Sequence, residues 1–562
     1  MNAIADRHHL NLLKKGVSAW NDWREKRRDV QPQLNGADLR RAQLAGAQLN
    51  WANLYGANLS GAELSGANLQ HATLNGATLH GASLREANLS QATLSGADLK
   101  EARFNGADLR EAHLNWANLY GTNLSRANLS GADLREAHLY EVDLSEANLS
   151  YASLSGADLR AANLYAARLI GADLTGTSLA NVNLSETDLR QARLIGANME
   201  QAQLSRARLD GLSLAGARLR EARLDEARMH GANLREAHLG GANLVGTDLR
   251  EANLSGANLV EANLSGANLN GADLSNADLS DADLEGASLW GANLSGAHLQ
   301  GARFSGAILS GARLGGVQLG ELDLRNVNLN GADLSEADLS GVDFHDITLS
   351  RANLHAICLR GMQLAGMNLS GADLSEADLS GADLREANLG GANLSGASLQ
   401  RANLTRANLS GAQLNAADFT EAQISKAYLI RAEASGAILS AANLNGADLR
   451  ETTLLQANLS HADLSRANLS RADLRAANLS GADLYMADAS EANLTGADLS
   501  GADLRGADLN HADLSGTHLD AARLAGARLT GPLPLQDEAS VGSDGSSATA
   551  AYEVSANAAG MP

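Results

Sequence analysis

The sequence predicts an all-β solenoid, on three observations. From Leu39 to Leu529 the chain repeats every five residues without a break in frame, which makes 99 units. Ninety units carry Leu at the centre, the exceptions being Phe104, Met199, Met229, Phe304, Phe344, Phe419, Ile424, Ala434 and Ala489. Two residues before the centre most units carry Ala, as in Ala37-Asp38-Leu39-Arg40-Arg41 and Ala57-Asn58-Leu59-Ser60-Gly61. Self-similarity at a fixed short period is the mark of a stacked, quasi-one-dimensional fold.

The pentad excludes a helix. Apolar residues at i and i+2 with a period of five drift around a helical wheel and form no stripe. In an extended segment, residues two apart point to the same side. Ala and Leu therefore face in, and the Asp or Asn between them faces out. The two remaining positions are mostly Ser, Arg, Glu and Gly, which suit a polar corner. Each pentad is one short side and one turn, and stacking the coils buries the Ala and Leu columns together.

These residues carry a resemblance. Tandem A(D/N)LXX units, here over roughly 34–529, are similar to those of the pentapeptide-repeat family. The resemblance implies a right-handed quadrilateral β-helix with four pentads per coil. At about 4.8 Å per coil, the strand spacing, some 25 coils would make a rod about 120 Å long.

Composition fits a thin rod. The chain has 562 residues with 44% apolar but only 3% aromatic residues. Within 317–367 the inward positions enlarge: Leu322, Val342 and Met362 replace Ala in one column, and Val327, Ile347 and Met367 in the next. This predicts a slightly wider stretch of rod, with compensated packing rather than a ligand cavity.

The ends depart from the repeat and divide the chain into a lead-in at 1–33, a solenoid at 34–530 and a tail at 531–562. Leu13, Val17 and Trp20 recur at helical spacing, with Trp23 nearby, and predict one capping helix over 8–28. An open solenoid end exposes apolar columns and unpaired backbone, so these side chains are the expected cover. Arg24, Lys26, Arg27 and Arg28 give the segment a basic end, for which membrane or nucleic-acid contact is the lesser reading. Gly531-Pro532-Leu533-Pro534-Leu535 stops the pattern, and the Ser-, Ala- and Gly-rich remainder predicts a disordered tail. No apolar run reaches signal-peptide or membrane-spanning length, and Cys358 is the only cysteine. A reducing cytoplasm is the expected location.

The residues point away from catalysis. No two of the fourteen His lie twenty residues apart, no His and carboxylate set has metal-ligand spacing, and no Ser stands in a nucleophile motif. No catalytic residue, metal site or cofactor is expected. What remains is surface, and two patches are candidates for an interaction surface. The heptapeptide Asn-Trp-Ala-Asn-Leu-Tyr-Gly occurs at 50–56 and 115–121, placing Trp116 and Tyr120 outward. With twenty residues per coil, Tyr140 stacks over Tyr120, between Lys100 and Arg160. Asp463, Asp483 and Asp503 likewise form an acidic column on a chain of net charge −21. Residues 190–235 are rich in Arg but also in Glu and Asp, which reads as a salt-bridged face.

The expected role is a non-enzymatic scaffold for a protein partner that the sequence does not name. The family resemblance implies an alternative, since some pentapeptide-repeat proteins imitate a DNA duplex, bind DNA gyrase and protect it from quinolones. This chain departs from them: it is much longer, has no inserted loop and shows no C-terminal helix for a dimer. A secreted effector is a third reading. Direct nucleic-acid binding is disfavoured, because a net-negative rod repels phosphates.

Overall fold

A computed structural model describes residues 5–530. Its organising contact is a parallel bridge between each residue before a centre and its counterpart twenty residues on: Gln33 to Asn53, Asn53 to Thr73, Asn58 to Thr78, and onward to Asp503 with Arg523. Four pentads therefore complete one coil. The chain is an all-β solenoid, but its strands are minimal. Each side contributes a single bridging residue, and only the last two coils lengthen into strands, β1 (Asp508–Leu509) and β2 (Arg528–Leu529).

One unit shows why the repeat has five residues. All five of its N–H groups have partners. Ala57 donates to the Leu54 carbonyl (3.0 Å), closing the preceding turn. Asn58 donates back to Ala37 (2.9 Å), while Leu59 and Gly61 donate forward to Thr78 (2.7 Å) and His80 (2.9 Å). The fifth, Ser60, has no coil to reach and is taken by the Asn58 Oδ1 atom (3.1 Å). That is why the position before Leu is so often Asn or Asp: it caps its own turn. The second corner residue lies in the left-handed region at every turn from Gly36 to Gly526 except at Glu321. Glycine adopts this φ freely, but Glu, Arg and others occupy it repeatedly here, as at Glu86 (φ 55°) and Arg406 (φ 61°).

The core is a column of Leu and Ala running the length of the solenoid, with Leu54, Leu264 and Leu469 fully buried. Where Thr replaces Ala, its hydroxyl finds a carbonyl: Thr122 Oγ1 donates to Leu99 (2.9 Å) and Thr187 Oγ1 to Leu184 (2.6 Å). The outer positions differ from simple alternation. The residue after Leu is more often half-buried than exposed, and the second corner residue is exposed at nearly every turn.

The lead-in is two helices, not the single one expected over 8–28. Helix α1 spans Arg7–Lys14 and helix α2 spans Val17–Lys26. Gly16, at φ 111°, breaks them apart, a conformation closed to residues with a side chain. Leu13 and Trp20 are buried against the first coils, with Val17 and Trp23 partly so. The Trp20 indole donates to the Gln48 carbonyl (2.8 Å). Arg24 is buried too, donating to the carbonyls of Val30 (2.7 Å) and Asn50 (3.1 Å), so it fastens the cap rather than forming a basic surface. The first side is Pro32–Gly36, one pentad ahead of Leu39: Leu34 is fully buried and the Pro32 carbonyl accepts from Asn53 (2.8 Å). Proline hid this unit in the sequence. The expected disordered tail, 531–562, lies outside the described residues.

Among the described residues six positions lack the bridge to the next coil: Arg193 to Ser213, His298 to Gln318, Asp323 to Asp343, Asp338 to Cys358, Asp343 to Gln363 and Thr348 to Asn368. Three of the six lie wholly within 323–363, inside the stretch with enlarged inward residues. Packing there is not fully compensated; the larger side chains part the coils, and the backbone ladder yields before the core does.

Candidate functional site

The outer surface is built from three kinds of column. In Asp-Leu-Arg units, Asp and Arg form a two-pronged pair within one turn, as in Asp133 with Arg135 (2.7 Å) and Asp473 with Arg475 (2.7 Å). At the corners, charges pair between coils, as in Arg401 with Glu421 (2.8 Å) and Arg431 with Glu451 (2.7 Å). Elsewhere Asn side chains form ladders, such as Asn408 Nδ2 donating to Asn388 Oδ1 (3.0 Å). The Arg-rich stretch follows the same rules: Arg206 pairs with Glu226 (2.8 Å), Arg208 with Asp188 (3.4 Å) and Arg218 with Glu200 (2.9 Å).

In the aromatic patch, Tyr120 and Tyr140 stack with ring centroids 5.8 Å apart and planes 14° from parallel. Lys100 Nζ lies 4.9 Å from the Tyr120 ring and the Arg160 guanidinium 5.8 Å from the Tyr140 ring. A hydrogen bond to Glu141 pushes the Tyr120 phenol above its ordinary pKa. Both ring faces are therefore occupied within the column, which leaves the edges to a partner. Trp116 stands at a corner, 65% exposed, and no ring contact joins it to the tyrosines among the described residues. A second stack escaped the sequence reading: Trp51 and His71, corner residues of successive coils, lie 3.9 Å apart. Its signal was the twenty-residue spacing between two different aromatic types.

The acidic column is real as a column, since Asp463 bridges to Asp483 and Asp483 to Asp503. Its carboxylates also serve their own turns. Asp463 and Asp483 accept from the N–H groups of Ser465 and Tyr485 (both 2.9 Å). Asp503 is held by Arg505 (2.7 Å) and Arg523 (3.3 Å), and the Arg505 hydrogen bond holds its carboxyl below the usual range. Asp463 and Asp483 carry no arginine partner among the described residues.

A cavity of about 730 Å³ opens where the His298–Gln318 bridge is missing, lined among others by His298, Gln300, Gln318, Glu321, Asp338 and Ser340. No cluster of His, Cys, Asp and Glu among the described residues could hold a metal ion. No described helix is long and apolar enough to cross a membrane.

The pattern for pentapeptide repeats matches the chain fifteen times, from residue 32 to residue 531. The chain belongs to the pentapeptide-repeat family. Solved structures similar to it include HetL of the cyanobacterium Nostoc sp. strain PCC 7120, described as involved in heterocyst differentiation regulation. HetL is 39% identical over 38% of this chain and 89% of its own, with a TM-score of 0.19. Rfr23 of the cyanobacterium Cyanothece 51142 is 37% identical over 17% of this chain and 64% of its own, TM-score 0.14. QnrB1, a plasmid-mediated fluoroquinolone resistance protein, is 20% identical over 42% of this chain and 91% of its own, TM-score 0.19. No curated protein matches.

Proposed function

We propose that this pentapeptide-repeat protein is a right-handed quadrilateral β-helix that acts in the cytoplasm as a non-enzymatic scaffold for protein partners. The observation that carries this reading is the division of labour along the pentad. Leu and Ala fill the interior, and side-chain chemistry is left to ordered columns outside. A surface with a 20-residue register suits repeated contacts along a partner, as solenoids do. The exposed corner aromatics Trp51, Trp116 and Tyr151 are the residue types that anchor interfaces. Affinity capture from the native host is the direct test. Loss of the captured partner in Trp116→Ala or Tyr140→Ala would locate the surface, and capture unaffected by any surface substitution would defeat the reading.

Gyrase protection is the second reading, supported by the net charge of −21 and by Asp463 and Asp483, whose hydrogen bonds to their own turns leave the charge without an arginine partner among the described residues. Arg505 and Arg523 weaken it by neutralising Asp503. The expected result of a supercoiling assay with added quinolone is no protection. Protection that is lost in Asp463→Asn, Asp483→Asn, Asp503→Asn together would reverse the ranking.

A further inference from the structure

On the side that carries His298 and Gln318 the coils lack their bridge and a cavity opens between them. In a regular unit the Leu N–H would donate forward and the residue beneath would accept. Here the Leu299 N–H makes no bond to the Gln318 carbonyl, nor does the Gln318 N–H bond to Ala297, among the described backbone pairs. Glu321, the one corner without a left-handed φ, lies at the end of this side. The upper lip keeps its ordinary bonds to the coil above, Leu319 N–H to the Asp338 carbonyl (2.9 Å) and Asp338 N–H to the Val317 carbonyl (3.0 Å), and only its Gly320 corner is crowded against that coil. A β-carbon on Gly320 would stand 2.1 Å from the Ser340 carbonyl oxygen, far closer than the 3.5 Å found at the neighbouring Gly315. Leu322, partly buried, adds bulk in an Ala position immediately after this corner.

The resulting cavity, about 730 Å³, has two kinds of unmet demand. Its lips carry main-chain donors and acceptors that a buried ladder would normally satisfy, and Leu299 and Ala297 are themselves nearly buried. Its lining is acidic, with Glu321 and Asp338 and no Lys or Arg. A cation leaves the Leu299 and Gln318 N–H groups unmet, and a small anion is repelled by the acidic lining. An extended peptide satisfies both, because its two edges offer N–H and C=O groups to both lips and its side chains carry charge.

We infer that this gap is a docking slot for an extended, basic peptide segment of a partner protein, which enters as an extra strand between the two coils. The inference rests on the scaffold reading and names the chemistry of what is scaffolded. The test uses the full chain and a labelled peptide, acetyl-Thr-Lys-Val-Lys-Thr-amide, with amide hydrogen exchange as a site-specific readout. Binding is expected to slow exchange at Leu299 and Gln318. Methylating the peptide's backbone nitrogens is expected to abolish binding. Two protein variants separate the causes. Glu321→Gly with Leu322→Ala restores the regular corner and column, and is expected to close the gap and remove binding. Glu321→Lys with Asp338→Lys is expected to weaken the basic peptide about tenfold or more, by placing like charges in contact. Absence of binding, binding without protection at Leu299 and Gln318, or indifference to the charge reversal would each overturn the slot. Those failures would leave the scaffold reading intact, because affinity capture through the aromatic corners tests it independently.

Discussion

At the scale of single residues, the pentad assigns different costs to adjacent positions. Leu264 is fully buried, and Leu264→Ala is expected to cost about 2–5 kcal/mol, the range for large-to-small core changes. Leu264→Asp adds an unpaired buried carboxylate and should break the local stack. The neighbour Asn263 is half-exposed, yet its Oδ1 accepts from both the N–H (3.0 Å) and the hydroxyl (2.7 Å) of Ser265. Asn263→Ala should therefore cost about 1 kcal/mol, as losing a helix cap does. Asn263→Asp should be nearly silent. Amide exchange at Ser265 separates these outcomes; equal protection in Asn263→Ala and the parent would show that the side-chain cap contributes nothing. Corner packing sets a further limit. A β-carbon on Gly171 would meet the Tyr151 ring at 2.7 Å, so Gly171→Ala must displace Tyr151, and Tyr151→Ala should relieve the clash.

At the scale of elements, the cap and the parted coils are the two places where the repeat rule fails. Helix α1 is tied to the first side in both directions: the Asp6 N–H donates to the Gln33 carbonyl (2.9 Å), and the Gln33 N–H donates to His9 Nδ1 (3.2 Å). An accepting Nδ1 requires a neutral ring. Burial depresses the His9 pKa, while Asp6 opposes that shift and His8 and Arg24 add to it; Trp23 packs on the ring at 4.9 Å. The sign follows. The unfolded ring takes up its proton near pH 6.5, before the folded ring does, so the cap's stabilisation is complete above that pH and is lost as pH falls below it. Exchange of the Gln33 amide is expected to speed up between pH 7 and pH 5, after correction for intrinsic rates, and not in a His9→Asn variant. The parted coils give a second expectation: amides at Leu299, Phe344 and Leu349 should exchange faster than their equivalents in regular coils. Uniform protection along the chain would remove the parted coils from the account. The enlarged residues Leu322, Val342 and Met362 were legible in the sequence, but their effect on the backbone was not. Volume says that something must move; whether side chains or coils move depends on the ladder's strength against core packing. Likewise Gly16 was visible within the helical spacing, but only its φ shows that it divides the helix. The Asx caps were visible as a preference for Asp and Asn, and their purpose emerged only when every N–H was given a partner.

At the scale of the whole molecule, length is the property that the repeat determines most directly. The bridges set twenty residues per coil from Gln33 to the last described coil, and no described segment leaves the register. About 25 coils at about 4.8 Å each give a rod about 120 Å long, whose radius of gyration is about 35 Å, against about 24 Å for a compact chain of this size. Small-angle scattering distinguishes these values at once. The parted coils add little length but remove the bonds that resist bending. The scattering curve of Glu321→Gly with Leu322→Ala is therefore expected to match a straighter rod than the parent, with a maximum dimension that is equal or slightly longer. Charge offers an independent check on rigidity. Among the described residues the corner pairs between coils are exposed, so each contributes little and salt screens that little further. If the Leu and Ala column and the backbone ladder hold the rod, its dimensions should stay constant between low and high salt. A rod that shortens or bends as salt rises would mean that the paired surface charges, not the buried column, set its stiffness.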